Sequence, residues 1–251
     1  MSDPMNMHGR APLICLLATP ESSVAALTGF FEVFSVLEPT WVELTGETAF
    51  RAAFDVRIVA LSNEPLRYPG GASIVPQATL AETAMADAVI VTDLMLDPEA
   101  DTRERWPDAG EWLRRIYTAG GMICSVCNGS VMLASAGLLD NRPATTHWGF
   151  VDHFKTYFPS VALRPERVLV TVPPDERIVT AGGMSSWQDL AIYIVARFYG
   201  EAVAIKAAKL FLFGDRSEGQ LLYAAMSKPK RHEDAVIAAC QEWLGANYAT
   251  P

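Results

Sequence analysis

The sequence predicts an α/β fold with a doubly wound, mostly parallel sheet flanked by helices. Four short apolar runs have the length of strands, at residues 11–18, 54–61, 88–92 and 122–126. Runs of this length, bounded by turn residues, are typical of strands that are covered on both faces. Segments with apolar residues at helical spacing separate the runs, and this alternation indicates β–α–β units in a parallel sheet.

The helices follow from the spacing of their apolar residues. Residues 23–37 place Val24, Leu27, Phe31 and Phe34 on one side of a helix. Similar patterns predict further helices at residues 107–119, 151–158, 187–199 and 202–213.

The connections between these elements are less regular. We expect residues 39–51 to be an irregular connection, and residues 63–75, which are rich in proline and glycine, to form a hairpin. The remaining predictions are a short helix at residues 80–85, a loop or short strand at residues 141–149, and two strands at residues 167–172 and 177–180.

Composition excludes several classes of protein. The chain has 251 residues, half of them hydrophobic, which is enough for one large domain or one domain with a small appendage. A formal net charge of −9 makes non-specific binding to nucleic acid or to an acidic membrane unfavourable. No apolar run reaches the ~20 residues of a membrane span, and the N-terminus lacks the order of a signal peptide. The four cysteines indicate reduced thiols in a cytoplasmic protein.

Residues 120–134 are the stretch around which we expect the functional site to form. They predict a buried strand, a sharp turn at Asn128-Gly129-Ser130 and the first turns of a helix. Cys127 falls at the corner, near the helix N-terminus, where the thiolate is favoured and a lowered thiol pKa is expected. This geometry is that of a nucleophile elbow with cysteine in place of serine.

The two ends of the chain differ from its centre. We expect residues 1–10 to be disordered and residues 228–231 to be a linker. Residues 232–248 predict an amphipathic helix, which has little to pack on unless it docks on the preceding domain or belongs to a neighbouring one. The apolar face of this helix consists of Val236, Cys240, Trp243 and Leu244.

Two groups of motifs carry a resemblance to a known family. The first joins Cys127-Asn128-Gly129-Ser130 to Leu-Ala-Ser-Ala-Gly-Leu-Leu-Asp at residues 133–140 and Ala-Thr-Thr-His-Trp at residues 144–148. The second joins Val-Thr-Ala-Gly-Gly at residues 179–183 to Gln-Asp-Leu-Ala at residues 188–191. Over roughly residues 12–200 the chain therefore resembles the ThiJ/PfpI superfamily, the class I glutamine amidotransferase-like domains, which implies a flavodoxin-like fold.

Within that superfamily, the sequence is most similar to the sensor domain of AraC-type transcription regulators. The segment from Gly214 to Gln220 resembles the stretch that leaves this domain, and residues 231–248 resemble the first helix of the AraC DNA-binding domain. The resemblance implies a sensor domain at residues 11–227, followed at residues 228–251 by a linker and the start of a truncated DNA-binding domain. It also implies a homodimer that contacts DNA only through the missing C-terminal domain.

Three positions depart from the pattern of the family's enzymes. Asn128 follows the cysteine where protease and amidase members have histidine. Ala26 occupies the position after the first strand where isocyanide hydratase-like members have aspartate. Residues 92–96 replace a Pro-Gly-Gly turn whose N–H groups would face the cysteine. Together these departures argue against the family's usual hydrolysis or hydration.

The candidate catalytic residues are Cys127, His147 and Glu32, and each has a structural alternative. Cys127 could be a pocket-lining elbow residue, His147 a structural histidine beside Trp148, and Glu32 a solvated helix carboxylate. Cys124 and Cys127 could form a redox pair or half of a metal site, but Cys124 lies inside the strand and no second ligand pair is present.

The favoured hypothesis is a non-catalytic effector-sensing domain that binds a small metabolite, without a cofactor, a metal or a membrane partner. The alternative is a cysteine-dependent hydrolase or hydratase, either an amidase or isocyanide hydratase-like, with Cys127 as nucleophile. A third hypothesis is a redox sensor based on a Cys127 thiol of low pKa. The expected ligand pocket consists of Cys127, Asn128, Gly129, Asp93, Leu94, His147, Trp148, Gly182 and Gly183.

Overall fold

The structure, a computed structural model, describes residues 10–214, residue 219 and residues 234–247. The chain divides into two units, Met1–Leu221 and Leu222–Pro251. The predicted linker at residues 228–231 lies outside the described residues, as do residues 1–9 of the segment predicted to be disordered. Arg10, the last residue of that segment, forms an ion pair with Asp87 at 2.7 Å.

The first unit is organised by its strands. In chain order they are β1 (Leu13–Leu17), β2 (Asp55–Ala60), β3 (Leu66–Arg67), β4 (Ser73–Ile74), β5 (Ala78–Thr79), β6 (Ala88–Val91), β7 (Met122–Val126), β8 (Pro143–Ala144), β9 (Ala162–Leu163), β10 (Leu169–Thr171) and β11 (Ile178–Ala181). Seven of them form one sheet in the order β10-β11-β7-β6-β1-β2-β5, in which β10 alone is antiparallel to its neighbour. This arrangement confirms the predicted mostly parallel α/β fold. The pair β3–β4 is the predicted hairpin.

Helices cover both faces of the sheet. They are α1 (Val24–Thr45), α2 (Pro107–Thr118), α3 (Gly129–Ser135), α4 (Val151–Tyr157), α5 (Trp187–Tyr199) and α6 (Glu201–Phe211). Helices α1, α5 and α6 share one buried cluster with alternate sheet residues such as Ile14 and Leu16. Helices α2, α3 and α4 share the other cluster with Cys15 and Leu17. The strict alternation along β1 explains why its sequence is apolar throughout.

The predicted irregular connection at residues 39–51 is wrong in its first part. Helix α1 continues through Pro39 to Thr45 and ends at Gly46, which has φ 71°. Pro39 removes one hydrogen bond and crowds the preceding turn. Trp41 and Val42, two and three residues further on, nevertheless pack against the core cluster of α1, and this burial outweighs the local preference of proline.

The predicted short helix at residues 80–85 is also wrong. The chain forms the edge strand β5 and then a single turn. Within this turn the Glu82 carboxylate accepts hydrogen bonds from the Thr79 N–H and hydroxyl, at 2.8 and 2.9 Å. The side chain thus satisfies the backbone donor locally, and no further helical turns follow.

The second unit contains α7 (Ala235–Asn247), within the predicted C-terminal helix. Val236, Trp243 and Leu244 are exposed, and Cys240 is an exposed free cysteine. No helix among the described residues is long and apolar enough to cross a membrane.

The strand order determines where functional side chains can meet. Strands β11, β7, β6 and β1 are adjacent and parallel, so their carboxyl ends lie along one edge of the sheet. The segments that follow them therefore converge at this edge, where ligands bind in doubly wound folds. These segments begin at residues 18, 92, 127 and 182.

Helix α3 starts in close contact with β6. A Cβ atom on Gly129 would lie 2.5 Å from the Val91 carbonyl oxygen and 2.6 Å from that of Thr92. We expect Gly129→Ala to lower the free energy of unfolding by about 1–3 kcal/mol, because backbone atoms must shift to accept the methyl group. Urea unfolding measures this change.

Gly110→Ala is the matched control for this prediction. Gly110 lies in α2, and its Cβ would make only ordinary contacts of 3.5 Å or more. We expect this variant to be neutral or stabilised by up to about 1 kcal/mol, through helix propensity. Equal losses in the two variants would contradict the close-approach argument.

Candidate functional site

Cys127 occupies a sharp corner between β7 and α3. It has φ 54°, a left-handed conformation that is uncommon for a non-glycine residue and marks a strained position. Its N–H donates a hydrogen bond to the Ala181 carbonyl oxygen at 2.9 Å, which ties the corner to the end of β11. The predicted nucleophile-elbow geometry is therefore present.

The back of this corner is held by two hydroxyl groups. The Ser130 and Thr146 side-chain oxygens lie 2.8 and 3.3 Å from the Cys127 carbonyl oxygen and 2.9 Å from each other. Both residues are completely buried. The second threonine of the Ala-Thr-Thr-His-Trp motif thus supports the backbone of the corner and does not face a ligand.

The partner of the Cys127 thiol is Asp93, which follows β6. The two side chains are hydrogen-bonded, with the thiol donating to the carboxylate. Only 3% of Cys127 and 4% of Asp93 are exposed. Sequence reasoning placed Asp93 in the pocket but did not pair it with the thiol. The signal available was an aspartate at the end of a buried strand, at the same edge as the cysteine.

Burial and the adjacent Asp93 carboxylate raise the pKa of the Cys127 thiol well above its usual range. The expected lowering of this pKa is therefore wrong, because the thiol loses its hydration and faces a carboxylate as well as a helix N-terminus. Burial likewise raises the pKa of the Asp93 carboxyl group. Burial and the facing carboxylate therefore both disfavour a free thiolate at Cys127.

The position of Asp93 is fixed by the loop between β1 and α1. The Ser23 N–H donates to the Asp93 carbonyl oxygen at 2.7 Å, and the Met95 N–H donates to that of Glu21 at 2.7 Å. Between these bonds, Ser22 pairs with Leu94 as an isolated antiparallel bridge. Two loop segments thus run side by side and hold the carboxylate at the thiol.

Asn128 links this loop to the corner. Its Nδ2 donates to the Leu94 carbonyl oxygen at 3.2 Å, and its backbone N–H points to the Asp93 carboxylate at 3.5 Å. The Asn128 side chain is half-buried. The Asn128 side chain therefore has a hydrogen-bond partner of its own.

His147 lies on the same side of the corner but is not arranged as a base. Its Nδ1 accepts a hydrogen bond from the Gly149 N–H at 3.1 Å, so the neutral ring carries its proton on Nε2. Burial lowers the pKa of His147, although the nearby Asp93 carboxylate partly offsets this effect. The neutral ring can donate a hydrogen bond from Nε2. The lone pair on Nδ1, which a base would use, already accepts the hydrogen bond from the Gly149 N–H. Trp148 lies beside it, with 4.8 Å between the ring centroids.

The remaining predicted site residues divide into two groups. Gly182 and Gly183 directly follow Ala181, whose carbonyl accepts the Cys127 N–H, so they lie beside the corner as expected. Glu32 is exposed on α1, whereas Cys127 is buried and already paired with Asp93. The assignment of Glu32 as the assisting acid therefore finds no support in the structure.

The other cysteines do not extend this site. Cys124 and Cys127 are both free, and burial raises the pKa of Cys124 to about 12. Cys124 packs into the cluster beneath α1 and α5. Among the described residues, no group of three or more histidine, cysteine, aspartate or glutamate side chains could hold a metal ion.

A cavity of about 820 Å³ lies at the opposite edge of the sheet, at the amino ends of the strands. Its charged lining residues already have partners: Arg10 pairs with Asp87 at 2.7 Å, and Arg57 pairs with Asp55 at 2.6 Å. The carboxyl edge, where a strained residue and a buried carboxylate meet, is the better candidate site.

The structure leads to a direct test of the Cys127 thiol. We expect its alkylation rate by iodoacetamide to rise with pH around a midpoint above about 8.5, because only the thiolate reacts and its formation is opposed. Asp93→Asn should move this midpoint to lower pH, since a neutral amide removes the repulsion of the thiolate. Mass spectrometry of the Cys127 peptide measures the rate.

Glu32→Gln, at an exposed carboxylate, is the matched control and should leave the midpoint unchanged. A wild-type midpoint below 8.5, or the same shift in both variants, would show that the Asp93 carboxylate does not control the thiol.

Comparison with known proteins places this geometry in context. The chain matches the DJ-1/PfpI family over residues 30–197, which is more than half of its length. It is 35% identical over 108 residues to the HTH-type transcriptional regulator CdhR of Pseudomonas aeruginosa, covering 43% of this chain and 31% of CdhR. It is 31% identical over 90 residues to the isonitrile hydratase of Pseudomonas putida, covering 36% of this chain and 37% of that enzyme.

The structural comparison agrees on the fold. The crystal structure of an AraC family transcriptional regulator from Pseudomonas putida superposes with a TM-score of 0.60 at 17% identity, covering 80% of this chain and 100% of that one. The two proteins share a fold. The matched region spans about a third of the length of each of the two curated relatives.

Proposed function

Because the chain belongs to the DJ-1/PfpI family, we propose that it is the effector-sensing domain of an AraC-type transcription regulator. The observation that carries this proposal is the burial of Cys127, which is only 3% exposed and whose thiol has a raised pKa. Such a thiol is a weak nucleophile at neutral pH, so the corner serves as the floor of a binding pocket. The similarity to the regulator CdhR supports the same conclusion.

In this proposal a small metabolite binds at the carboxyl edge of the sheet, beside Asp93, Asn128 and His147. A ligand can shift an equilibrium between two arrangements only by as much as it prefers one of them. The arrangements in question are those of a cytoplasmic homodimer, whose attached helix-turn-helix units would contact DNA. Helix α7 is the start of those units, and the apolar side chains that it exposes would be covered by the helices that follow.

The downstream gene sequence and a ligand screen test the sensing function. The gene should encode two helix-turn-helix units after Pro251, and a stop codon at that point would contradict the regulator function. A thermal-shift screen of small metabolites should find ligands that raise the Tm of this chain, because binding to the folded state stabilises it. Cys127→Ala should fold and alter the response to those ligands, whereas Glu32→Gln should not.

A second candidate is a cysteine hydrolase or hydratase, and one observation favours it. Asp93 is an ionisable group within hydrogen-bond reach of the Cys127 thiol, as a proton-transfer partner must be. The family includes enzymes, among them the isonitrile hydratase. Asp93 reaches the thiol from the segment after β6, whereas Ala26, the position at which the family resemblance implies an aspartate in hydratase-like members, lies in the first turn of α1.

Turnover assays separate the two candidates. On the sensing proposal, the purified chain should hydrate isonitriles and hydrolyse amides no faster than its Cys127→Ser variant, because the thiol is held in its protonated form. Product formation is followed by mass spectrometry across the pH range. Turnover by the wild type that disappears in both Cys127→Ser and Asp93→Asn would establish the enzyme instead.

A further inference from the structure

The Asn128 side chain presents an acceptor without a partner. Its Nδ2 is engaged by the Leu94 carbonyl oxygen at 3.2 Å. If the Asn128 amide were rotated by 180°, its Oδ1 would face the Leu94 carbonyl oxygen. Both atoms are hydrogen-bond acceptors and repel each other, so the orientation of the amide is fixed. Oδ1 is consequently buried, with no hydrogen-bond partner among the described residues. A buried acceptor of this kind calls for a donor, which none of the described residues supplies.

Among the described residues, Asp93 forms no ion pair with a lysine or an arginine. The groups that favour its charged form are the Cys127 thiol, the Asn128 and Leu94 backbone N–H groups and His147. Neither a lysine nor an arginine is among these neighbours. Burial lowers the pKa of His147 and so disfavours a positively charged ring beside Asp93. A buried carboxylate without a counter-ion is unfavourable and gains from a cation brought by a ligand.

The two acceptors belong to residues that lie close together at the corner. The Asn128 backbone N–H points to the Asp93 carboxylate at 3.5 Å, so the two residues are close to each other. Asn128 and His147 are half-buried, which leaves this region in contact with solvent at its edge. Met95, which follows the Asp93 loop, is 66% exposed and adds a flexible apolar group there.

We propose that Asp93 and Asn128 form a recognition site for a small organic cation that carries N–H donors, such as an amidinium or a primary ammonium group. The positive charge pairs with the Asp93 carboxylate, and an N–H of the same group donates to Asn128 Oδ1. The inference rests on the proposed sensing function and names the chemical class of its effector.

Four probes test the charge and the donors separately. Binding to the full chain is measured by thermal shift and calorimetry with four probes: acetamidinium chloride, acetamide, tetramethylammonium chloride and sodium chloride. The three salts are compared at equal ionic strength. Acetamidinium should bind and raise the Tm. Acetamide, which has N–H donors without charge, and tetramethylammonium, which has charge without N–H donors, should match the sodium chloride baseline.

Variants locate the binding. Asp93→Asn should weaken acetamidinium binding by about tenfold to a hundredfold, the loss expected for a charge-assisted hydrogen bond. Glu32→Gln removes an exposed carboxylate and should have no effect. Asn128→Ala keeps Asp93 but removes Oδ1, so it should weaken binding severalfold. If Asp93→Asn does not fold, as judged by circular dichroism, Asn128→Ala decides the question.

Several results would overturn the proposal. These are acetamidinium binding no tighter than sodium chloride, tetramethylammonium binding equally well, or equal effects of the Asp93 and Glu32 variants. A metabolite screen that yields only neutral or anionic effectors would remove the cation class while leaving the sensing function intact. Conversely, Asp93-dependent binding of acetamidinium in a protein without helix-turn-helix units would keep the site and remove the regulator function.

Discussion

The parallel order of four neighbouring strands is the constraint on which the rest of the site depends. Because β11, β7, β6 and β1 run in the same direction, the segments that leave them meet at one edge. Each segment then contributes one part of the site: Ala181 anchors Cys127, Asp93 faces its thiol, and Ser23 holds the Asp93 backbone. None of these contacts is local in sequence. Their geometry follows from the order and direction of the strands.

Within that frame, electrostatics decides what the elbow can do. A helix N-terminus and a sharp strand-to-helix turn favour a thiolate. At Cys127 these effects are outweighed by loss of hydration and by a carboxylate in direct contact. The Cys127 thiol and the Asp93 carboxylate could transfer a proton in an enzyme, and they could bind a ligand in a sensor. What separates these uses is whether the thiol can give up its proton at neutral pH, and the raised pKa of the thiol opposes that loss.

Much of the fold could be predicted from the sequence because strand length and helical spacing are local signals. The strands at residues 13–17, 55–60, 88–91 and 122–126 were all expected within a few residues. The continuation of α1 through Pro39 was not expected, because the burial of Trp41 depends on a core formed by distant residues. The pairing of Asp93 with Cys127 was missed for the same reason: it joins residues that follow two neighbouring strands, far apart in sequence.

The pKa of the thiol was predicted in the wrong direction because burial cannot be inferred from a turn motif. The roles of Ser130 and Thr146 were also hidden, since their hydroxyl groups support a backbone carbonyl behind the corner. Sequence motifs identified the residues that meet here, and tertiary structure was needed to distinguish those that face a ligand from those that support the corner.

The left-handed backbone of Cys127 has a consequence for protein engineering. At φ 54° a Cβ atom is unfavourable, and glycine is the residue that relieves this conformation most fully. A stability-guided redesign of this domain would therefore select glycine at position 127 and remove the thiol in the same step. At this corner, stability favours glycine, whereas keeping the thiol requires cysteine. A natural cysteine here therefore reflects selection for something other than folding.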